Sequence, residues 1–172
     1  QPSGTIPWNT ANLPTPVITN PALYVKPYIY TGTGAELAIA DLGFSPDLAW
    51  IKNRGTTDQQ NWVDTARGAT LELNSDSTAD ESTVAQGVKS FDANGITLGT
   101  DLEYNTVSEN YEALFFQKGV TPGFDIVTYT GAAGSGSAIS HSLGVVPEFI
   151  TVKARTTAGP NIDWFTYHAN NT

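Results

Sequence analysis

The 172-residue sequence contains no cysteine and no methionine, and only eight lysines and arginines stand against 17 aspartates and glutamates. Without cysteine, disulfide bridges, thiolate nucleophiles and cysteine-ligated zinc or iron–sulfur sites are excluded. The formal charge of -9 repels nucleic-acid phosphates and anionic lipid headgroups, so neither is an expected partner. No stretch approaches the roughly 18 apolar residues of a membrane-spanning helix, and we expect no membrane insertion.

Residues suited to catalysis are also scarce. The two histidines are His141 and His168, and no Gly-x-Ser-x-Gly motif precedes a helical pattern, so a serine triad is not expected. Asp101 and Glu103 alternate along the chain, and a glycosidase needs such carboxylates about 5 to 10 Å apart. We interpret them as a solvated acidic surface, and we predict that the protein is not an enzyme and binds no cofactor.

One acidic segment has the oxygen-rich pattern that calcium uses. Residues Asn74–Glu81 place side-chain oxygens at alternating positions. The segment lacks the turn glycine and the terminal glutamate of an EF-hand loop. We therefore predict no metal site.

The remaining composition, 40% hydrophobic and 15% charged, is typical of a globular domain. Short runs of threonine, valine, isoleucine and aromatic residues alternate with glycine, asparagine, aspartate and proline, which favours strands. The pattern predicts an all-β fold, an antiparallel β-sandwich of jelly-roll or lectin-like type. The strands expected most clearly are Asp47–Asn53, Glu148–Ala154, Tyr111–Gln117, Phe124–Thr130 and a hairpin centred on Asn94-Gly95. The single helix expected is Ala79–Gly87, after a capping-box spacing of Thr78 and Glu81.

The sequence repeats itself with a period of about 101 residues. Tyr28-Ile-Tyr-Thr-Gly32 recurs as Val127-Thr-Tyr-Thr-Gly131, and Leu-Gly-x-x-Pro at 42–46 recurs, in the same order, at 143–147. Lys52-Asn-Arg54 and Trp62 recur as Lys153-Ala-Arg155 and Trp164. Four ordered matches indicate a duplication, of which the second copy is present for about half its length.

We therefore divide the chain into three parts. Residues 1–27 hold more than half of the ten prolines and are predicted to form an extended arm or linker. Residues 28–119 form the first β-sandwich repeat, and residues 120–172 form an incomplete second repeat. The arm is expected to cross onto a neighbouring copy in a homo-oligomer, and its apolar anchors are Trp8, Leu13, Val17, Ile18 and Leu23.

The candidate binding residues are the repeated cations and tryptophans. Lys52 and Arg54, like Lys153 and Arg155, stand two residues apart at the end of a predicted strand and share a face. Trp62 and Trp164 offer flat apolar rings of the kind that stack on sugars or fill a core. Two interpretations stay open for all six residues: a glycan- or partner-contacting surface, or salt bridges and core packing. Separately, Asp64 and Arg67 before Gly68 are expected to form a buried ion pair that fixes a turn.

Four segments together resemble a family of repeated β-domains in the virion proteins of tailed phages, including marine and cyanobacterial phages. They are Tyr30–Gly34, Leu42–Arg54, Asp64–Gly68 and Ser90–Gly95. Asn12–Pro21 is similar to the hinge that joins such repeats to a preceding lectin-like SPRY sandwich. At 104–116 the sequence departs from the family pattern, which usually has Asn-x-Ser-Gly-x-x-Tyr-Val-Ala-Trp there.

The resemblance implies a virion location and a structural or adhesion role in a tail fibre or related appendage. It implies no catalytic residues. Other virion proteins and further copies of this chain are then the expected partners, together with a host surface glycan. The alternative is a carbohydrate-active module, either a lectin or a polysaccharide depolymerase.

Overall fold

The computed structural model describes residues 16–132, 134, 136–156 and 163–171. Within these ranges the chain is nearly all β, which confirms the predicted fold class. The elements are a 3-10 turn at Pro21–Leu23, the single-turn helix α1 at Leu102–Asn105, and the strands β1 Val25–Thr31, β2 Leu37–Ile39, β3 Leu48–Asn53, β4 Asn61–Asp64, β5 Gly68–Asn74, β6 Ser82–Thr83, β7 Val88–Asp92, β8 Gly95–Leu98, β9 Asn110–Phe116, β10 Phe149–Val152 and β11 Phe165–His168.

The first repeat is a sandwich of two antiparallel sheets. A six-stranded sheet in the order β1-β9-β3-β4-β5-β6 packs against a three-stranded sheet in the order β2-β8-β7. Side chains alternate across each strand, and those facing the other sheet form one buried cluster. Its members are Tyr30, Ile39, Leu42, Phe44, Ala49, Ile51, Val63, Val88, Ile96, Leu98, Tyr104, Tyr111, Ala113 and Phe115.

The first repeat begins slightly before its predicted start. β1 includes Val25, Lys26 and Pro27, which the sequence analysis assigned to the arm. Pro27 is tolerated because β1 is an edge strand that pairs on one side with β9. The ordered strand therefore reaches into the proline-rich segment.

Three of the predicted strands are present, and one is not. β3 and β10 lie inside the predicted segments, and β9 begins one residue before its segment. Residues 125–130 form no strand, and Phe124 makes only an isolated bridge to Gly119. In the first repeat the equivalent strand β1 is held by β9. No described residue of the second repeat supplies a counterpart to β9, so the segment at 124–130 lacks the partner that its equivalent has.

The hairpin at Asn94-Gly95 is present, with its turn one residue earlier than expected. Asp92 pairs with Gly95, so Ala93 and Asn94 form the turn, and Asn94 does not adopt a positive φ. The Asn94 side chain instead holds the loop before β3, because its Oδ1 accepts from Gly43 N and its Nδ2 donates to Ala40 O, both at 2.5 Å. Tertiary contacts of this asparagine replace the local turn preference.

The predicted helix at 79–87 is wrong. Residues Ser82–Thr83 form β6 beside β5, and the segment that follows turns toward β7. Glu81 N donates to Arg155 O at 2.8 Å, and Val84 N donates to Thr70 O at 2.8 Å. Sheet hydrogen bonds and a hydrogen bond to the second repeat therefore satisfy backbone groups of this segment. An isolated helix of nine residues is only marginally stable and does not replace them.

The second repeat contributes a hairpin that matches β3 and β4. β10 and β11 pair antiparallel, as β3 and β4 do. Relative to the sequence repeat, the pairing is displaced by two residues, since Val152 faces Phe165, and a shift of two keeps every side chain on its face.

Among the described residues, no helix is long and apolar enough to cross a membrane.

Candidate functional site

The outer face of the six-stranded sheet, opposite the core, carries a row of aromatic side chains. Trp50 on β3 and Trp62 on β4 are directly paired across the strands, and their ring centroids are 5.7 Å apart. Trp164, which precedes β11 in the second repeat, packs on Trp62 with centroids 5.3 Å apart. Its Nε1 also donates to Asn74 O at 2.9 Å. We call Trp50, Trp62 and Trp164 the tryptophan ladder.

An ion network lies beside the ladder. Arg67 Nε is 2.6 Å from Asp64 Oδ2, which confirms the predicted ion pair, and Arg67 Nη1 is 3.3 Å from Glu81 Oε2. Arg155 of the second repeat donates to both oxygens of Glu81, from Nε and Nη2, at 2.8 Å each. Arg67 Nη2 also donates to Trp62 O at 2.7 Å, so the ion network of Asp64, Arg67, Glu81 and Arg155 is tied to the ladder.

The charges of this network stabilise one another. Burial opposes the ionisation of Glu81, but the hydrogen bonds and charges of Arg155 and Arg67 outweigh it and lower the pKa of Glu81. The same hydrogen bonds to Glu81 raise the pKa of Arg155. Two cations and two anions are thus held as a balanced set between the repeats.

The structure gathers four of the six candidate binding residues at this contact between the two repeats. Trp62, Trp164 and Arg155 are described above, and Lys153 Nζ donates to Thr78 O at 2.7 Å. The contact uses them for packing and ion pairing inside the chain. None of these contacts involves a glycan, so the glycan-contacting interpretation of the four residues stays a prediction.

The other two candidate residues lie apart from the contact. Lys52 Nζ donates to carbonyl oxygens of its own loop, to Thr56 O at 2.9 Å and Asp58 O at 2.6 Å. The Arg54 side chain is exposed, and within the described part of the chain no hydrogen bond or ion pair of its guanidinium is present. The sequence repeat equates Arg54 with Arg155, yet their surroundings differ.

A second feature is an open cleft of about 540 Å³ at one end of the sandwich. It lies between β5, the segment that leads into β6, and the turn before α1. Carboxylates and amides dominate its lining, which consists of Gln59, Glu72, Asn74, Ala79, Asp80, Ser82, Val84, Asp101, Leu102 and Glu103.

The floor of the cleft is a buried polar network. Glu72 is 5% exposed and accepts hydrogen bonds from the Tyr104 hydroxyl and from Asn74 Nδ2, the latter at 2.9 Å. Asn74 Nδ2 also donates to Asn61 Oδ1 at 3.0 Å. Burial first, and then the charge of Glu72, raises the pKa of Tyr104 well above its usual range, so the hydroxyl stays protonated and keeps donating.

Glu103 is the carboxylate of the cleft with an altered acidity. Burial raises its pKa above 4.5, and the negative charges of Glu72, Asp101 and Asp58 raise it further, while Asn61 opposes the change. Among the residues that the structure describes, no three acidic or histidine side chains are placed to hold a metal ion. The segment Asn74–Glu81 instead uses its carboxylates within the fold, as when Asp76 Oδ1 accepts from Gln60 N at 3.0 Å.

The anchors predicted for the arm are only partly within the described residues. Trp8 and Leu13 lie outside them. Val17 is 94% exposed and Leu23 is 48% exposed, while Ile18 is half-buried. The single chain therefore leaves Val17 and Leu23 largely uncovered.

Apart from Trp62, sequence reasoning missed the residues of the first repeat that contact the second. Glu81, Asn74 and Thr78 supply the acceptors for Arg155, Trp164 and Lys153. They are separated from their partners by more than 70 residues, and two of the three acceptors are backbone carbonyls, which carry no residue-specific pattern. The repeated Lys-x-Arg and Trp identified Lys153, Arg155 and Trp164 on the side of the second repeat, but only Trp62 on the side of the first.

The comparisons with known proteins give one match. A family described as Domain of unknown function (DUF7483) matches residues 20–172, a stretch that includes both repeats. No curated protein and no solved structure matches the chain. Because the family model covers far more than half of the sequence, the chain belongs to the DUF7483 family.

Proposed function

We propose that this chain is a structural and adhesion module of a phage virion appendage, a tail fibre or a related organelle. In this role its β-repeats space and present a surface that faces the host. One observation supports the proposal most directly: the second repeat is docked on the first through the tryptophan ladder and the ion network. Rigid contact between successive units is what a spacer needs, since freely jointed repeats hold no fixed direction.

The energetics of the contact suit a permanent connection. Across the contact, Glu81 is 9% exposed and Arg155 is 40% exposed, so solvent partly screens their attraction, while Arg67, 4% exposed, adds a buried charge on the side of the first repeat. Stacked indole rings add apolar burial that does not depend on charge. A contact that combines both is suited to a particle that meets varied ionic conditions outside a cell.

The proposal includes partners and a location. Copies of the same chain and other virion proteins would cover apolar residues that a single chain leaves exposed, such as Val17 and Leu23. The proposed location is the virion, with the host-facing surface outermost. The net charge of -9 favours solubility at the high local density of such assemblies.

Electron microscopy of labelled particles tests this proposal. Antibodies raised against the chain are applied to purified phage from a host–phage system that encodes it, and gold-conjugated secondary antibody is then located. Label on a tail fibre or another appendage is expected. Particles that contain no protein recognised by the antibody, in blots as well as in images, would refute the virion role.

Adsorption measures the adhesion part separately. Purified protein is expected to bind host cells and to slow phage adsorption, since both compete for one receptor. In an R155E variant the second repeat is repelled from Glu81. Its binding to host cells is compared with that of the unmodified protein, in which the second repeat is docked. Protein that neither binds host cells nor slows adsorption would leave the adhesion role without support and would contradict it.

The acidic cleft supports the second candidate function, a carbohydrate-active module. Its carboxylates accept hydrogen bonds and its asparagine and glutamine amides donate them, a mixture that suits the hydroxyl groups of a glycan. A glycan array and a reducing-sugar assay on host envelope polysaccharide separate the alternatives. Specific binding without cleavage favours a lectin, and released oligosaccharide demands an enzyme. If the protein neither binds nor cleaves any glycan, the carbohydrate-active candidate is refuted.

A further inference from the structure

One buried side-chain donor, Nδ2 of Asn61, makes no hydrogen bond to any residue that the structure describes. Asn61 is fully buried at the start of β4, where it pairs with Asn74 of β5. Asn74 Nδ2 donates to Asn61 Oδ1 at 3.0 Å, which fixes the orientation of the Asn61 amide and leaves Nδ2 as the open donor. A buried donor without an acceptor is destabilising, so native proteins normally place an oxygen atom beside it.

This open donor belongs to the acidic cleft. Asn74, which is bonded to Asn61, lines the cleft, and so does Glu103. Asn61 lies near the Glu103 carboxyl group, close enough to oppose the rise in its pKa but without a hydrogen bond to it. A ligand oxygen in the cleft would therefore meet Asn61 Nδ2 as a donor and the Glu103 carboxylate as a neighbour.

The carboxylates of the cleft lack an opposite charge. Glu72, Asp101 and Glu103 line it, and none of its described lining residues is a lysine, arginine or histidine. The charges that shift the pKa of Glu103 are all negative and come from Glu72, Asp101 and Asp58. Since the described acidic side chains are not grouped to hold a metal ion, the cleft favours an organic cation.

We propose that the cleft binds an amino sugar that carries a free ammonium group. A hydroxyl oxygen of the sugar accepts from Asn61 Nδ2, and the ammonium group on the adjacent carbon donates to the carboxylates of Glu103 and Asp101. One sugar ring thereby supplies both the missing acceptor and the missing positive charge. This inference rests on the second proposed function, the carbohydrate-active module, and specifies the ligand of that module.

Neutral and acidic sugars satisfy fewer of these groups. A neutral sugar offers a hydroxyl oxygen to Asn61 but leaves the carboxylates without a positive charge. A uronic acid adds a negative charge beside carboxylates that already repel one another. The affinity is therefore expected to fall from amino sugar to neutral sugar to acidic sugar.

Isothermal titration calorimetry on the full chain measures this order with tetramers of glucosamine, N-acetylglucosamine and galacturonic acid. The first two differ in the acetyl group that removes the charge of each amine. At slightly acidic pH, where the amines of glucosamine are protonated, its tetramer is expected to bind about tenfold or more tightly than the acetylated one. The reason is that charge-assisted hydrogen bonds are roughly twice as strong as neutral ones. No binding is expected for the galacturonic acid tetramer.

E103Q tests the carboxylate of the cleft. The substitution removes the charge, keeps the size of the side chain, and is expected to weaken binding of the glucosamine tetramer about tenfold. E36Q is the matched control, since Glu36 is 61% exposed and lies outside the cleft. An acidic protein attracts any cation weakly, and E36Q measures that general effect. The raised pKa of Glu103 predicts a more stable E103Q protein, so unfolding would not explain a lost affinity.

Nitrogen-15 NMR of the unmodified chain tests Asn61 without a substitution in the buried network. The side-chain amide resonances of Asn61 should shift as the glucosamine tetramer is added. Those of Asn20, which is exposed and precedes β1, should stay in place.

Four results would overturn the inference. They are no binding of the glucosamine tetramer, equally tight binding of the acetylated tetramer, equal affinity of E103Q and E36Q for the glucosamine tetramer, and an Asn61 amide that does not shift. The carbohydrate-active candidate survives each of them if the glycan array shows another bound glycan. It fails together with the inference only if no glycan binds in either experiment.

Discussion

Arg67 is the buried centre of the ion network. Its side chain is 4% exposed and lies between Asp64, itself 2% exposed, and Glu81. R67M removes the cation and leaves the Asp64 carboxylate without its ion pair in a buried site. We expect the free energy of unfolding, measured with urea, to fall by about 3 kcal/mol or more.

The control for this substitution is K89M. Lys89 pairs with Glu36, but both side chains are well exposed, so solvent screens their attraction. The expected loss is less than about 1 kcal/mol. Equal losses in the two variants would show that burial of the network contributes nothing.

The raised pKa of Glu103 predicts that the protein loses stability as pH rises. Its pKa is raised above 4.5 by burial and by neighbouring carboxylates, so the stability it contributes is complete below its ordinary pKa and is lost as pH rises through the folded value. E103Q should therefore unfold at higher urea concentration than the unmodified protein at pH 7. The two proteins should converge at acidic pH, where Glu103 is protonated in both.

Carbon-13 NMR of the glutamate side chains checks the cause. The Glu103 carboxyl resonance should titrate at higher pH than that of a glutamate in an unstructured peptide. A Glu103 that titrates as it does in such a peptide, or an E103Q variant that is less stable than the unmodified protein at pH 7, would contradict the assignment of the raised pKa.

At the residue scale, local spacing was predictive and distant pairing was not. Asp64 and Arg67 are three residues apart at a turn, and the sequence predicted their ion pair correctly. The partner of Arg155 is 74 residues away, and the sequence offers 17 acidic residues from which to choose. Only the fold, which places β6 beside the second repeat, selects Glu81.

Gly95 fixes the contact between β8 and β2. A methyl group added at Gly95 would lie 1.7 Å from Ile39 O, a backbone atom that cannot move without shifting β2. G95A should therefore destabilise the sandwich by about 3 kcal/mol or more in urea unfolding. G131A is the control, because nothing lies within 4 Å of a methyl group there and its φ is not positive. If G95A and G131A unfold at the same urea concentration, the close approach is not real.

At the element scale, strands with apolar runs between clear boundaries were predicted, whereas β4 and β5, which also pair on both sides, were not. β3 and β9 are central strands of the six-stranded sheet, and their segments combine apolar runs with clear boundaries. Residues 124–130 have the same kind of sequence but lack a neighbouring strand among the described residues. Residues 79–87 carry a helix-capping pattern, yet sheet and inter-repeat hydrogen bonds determine their conformation. In both segments the conformation depends on which strands are available as neighbours, and amino-acid composition does not reveal those neighbours.

At the scale of the whole molecule, docking of the second repeat should depend on pH. The pKa of Glu81 is lowered in the folded chain, so its contribution is complete above its ordinary value of 4.5 and is lost as pH falls through the lowered value. Protonation removes the charge that binds Arg155. We expect Trp164 to separate from Trp62 in acid, with a change in tryptophan fluorescence before the first repeat unfolds.

R155Q distinguishes this event from other acid-induced changes. Asp125 in the second repeat also has a lowered pKa, because hydrogen bonds from Ser142 and Ile126 outweigh its burial, and it titrates in the same direction. The R155Q chain lacks the bond to Glu81 and should show no separate fluorescence step. A step of undiminished size in R155Q would assign it to Asp125 or another group.

The all-β class that the sequence predicted is confirmed, but the sequence did not predict how the two repeats meet. The repeated Lys-x-Arg and Trp showed which residues correspond. They did not show that Trp62 and Trp164 contact each other, because a sequence repeat carries no information on the rotation between its copies. That rotation follows from the packing of the outer face, which the three-dimensional structure alone displays.

The central claim is that the second repeat is docked on the outer face of the first through Trp62 and Trp164. The most direct test is a nuclear Overhauser measurement on protein with labelled tryptophan, assigned by single Trp-to-Phe variants. The account predicts strong cross-peaks between the indole protons of Trp62 and Trp164, whose centroids are 5.3 Å apart. Absence of these cross-peaks, with a second repeat that tumbles independently of the first, would contradict it.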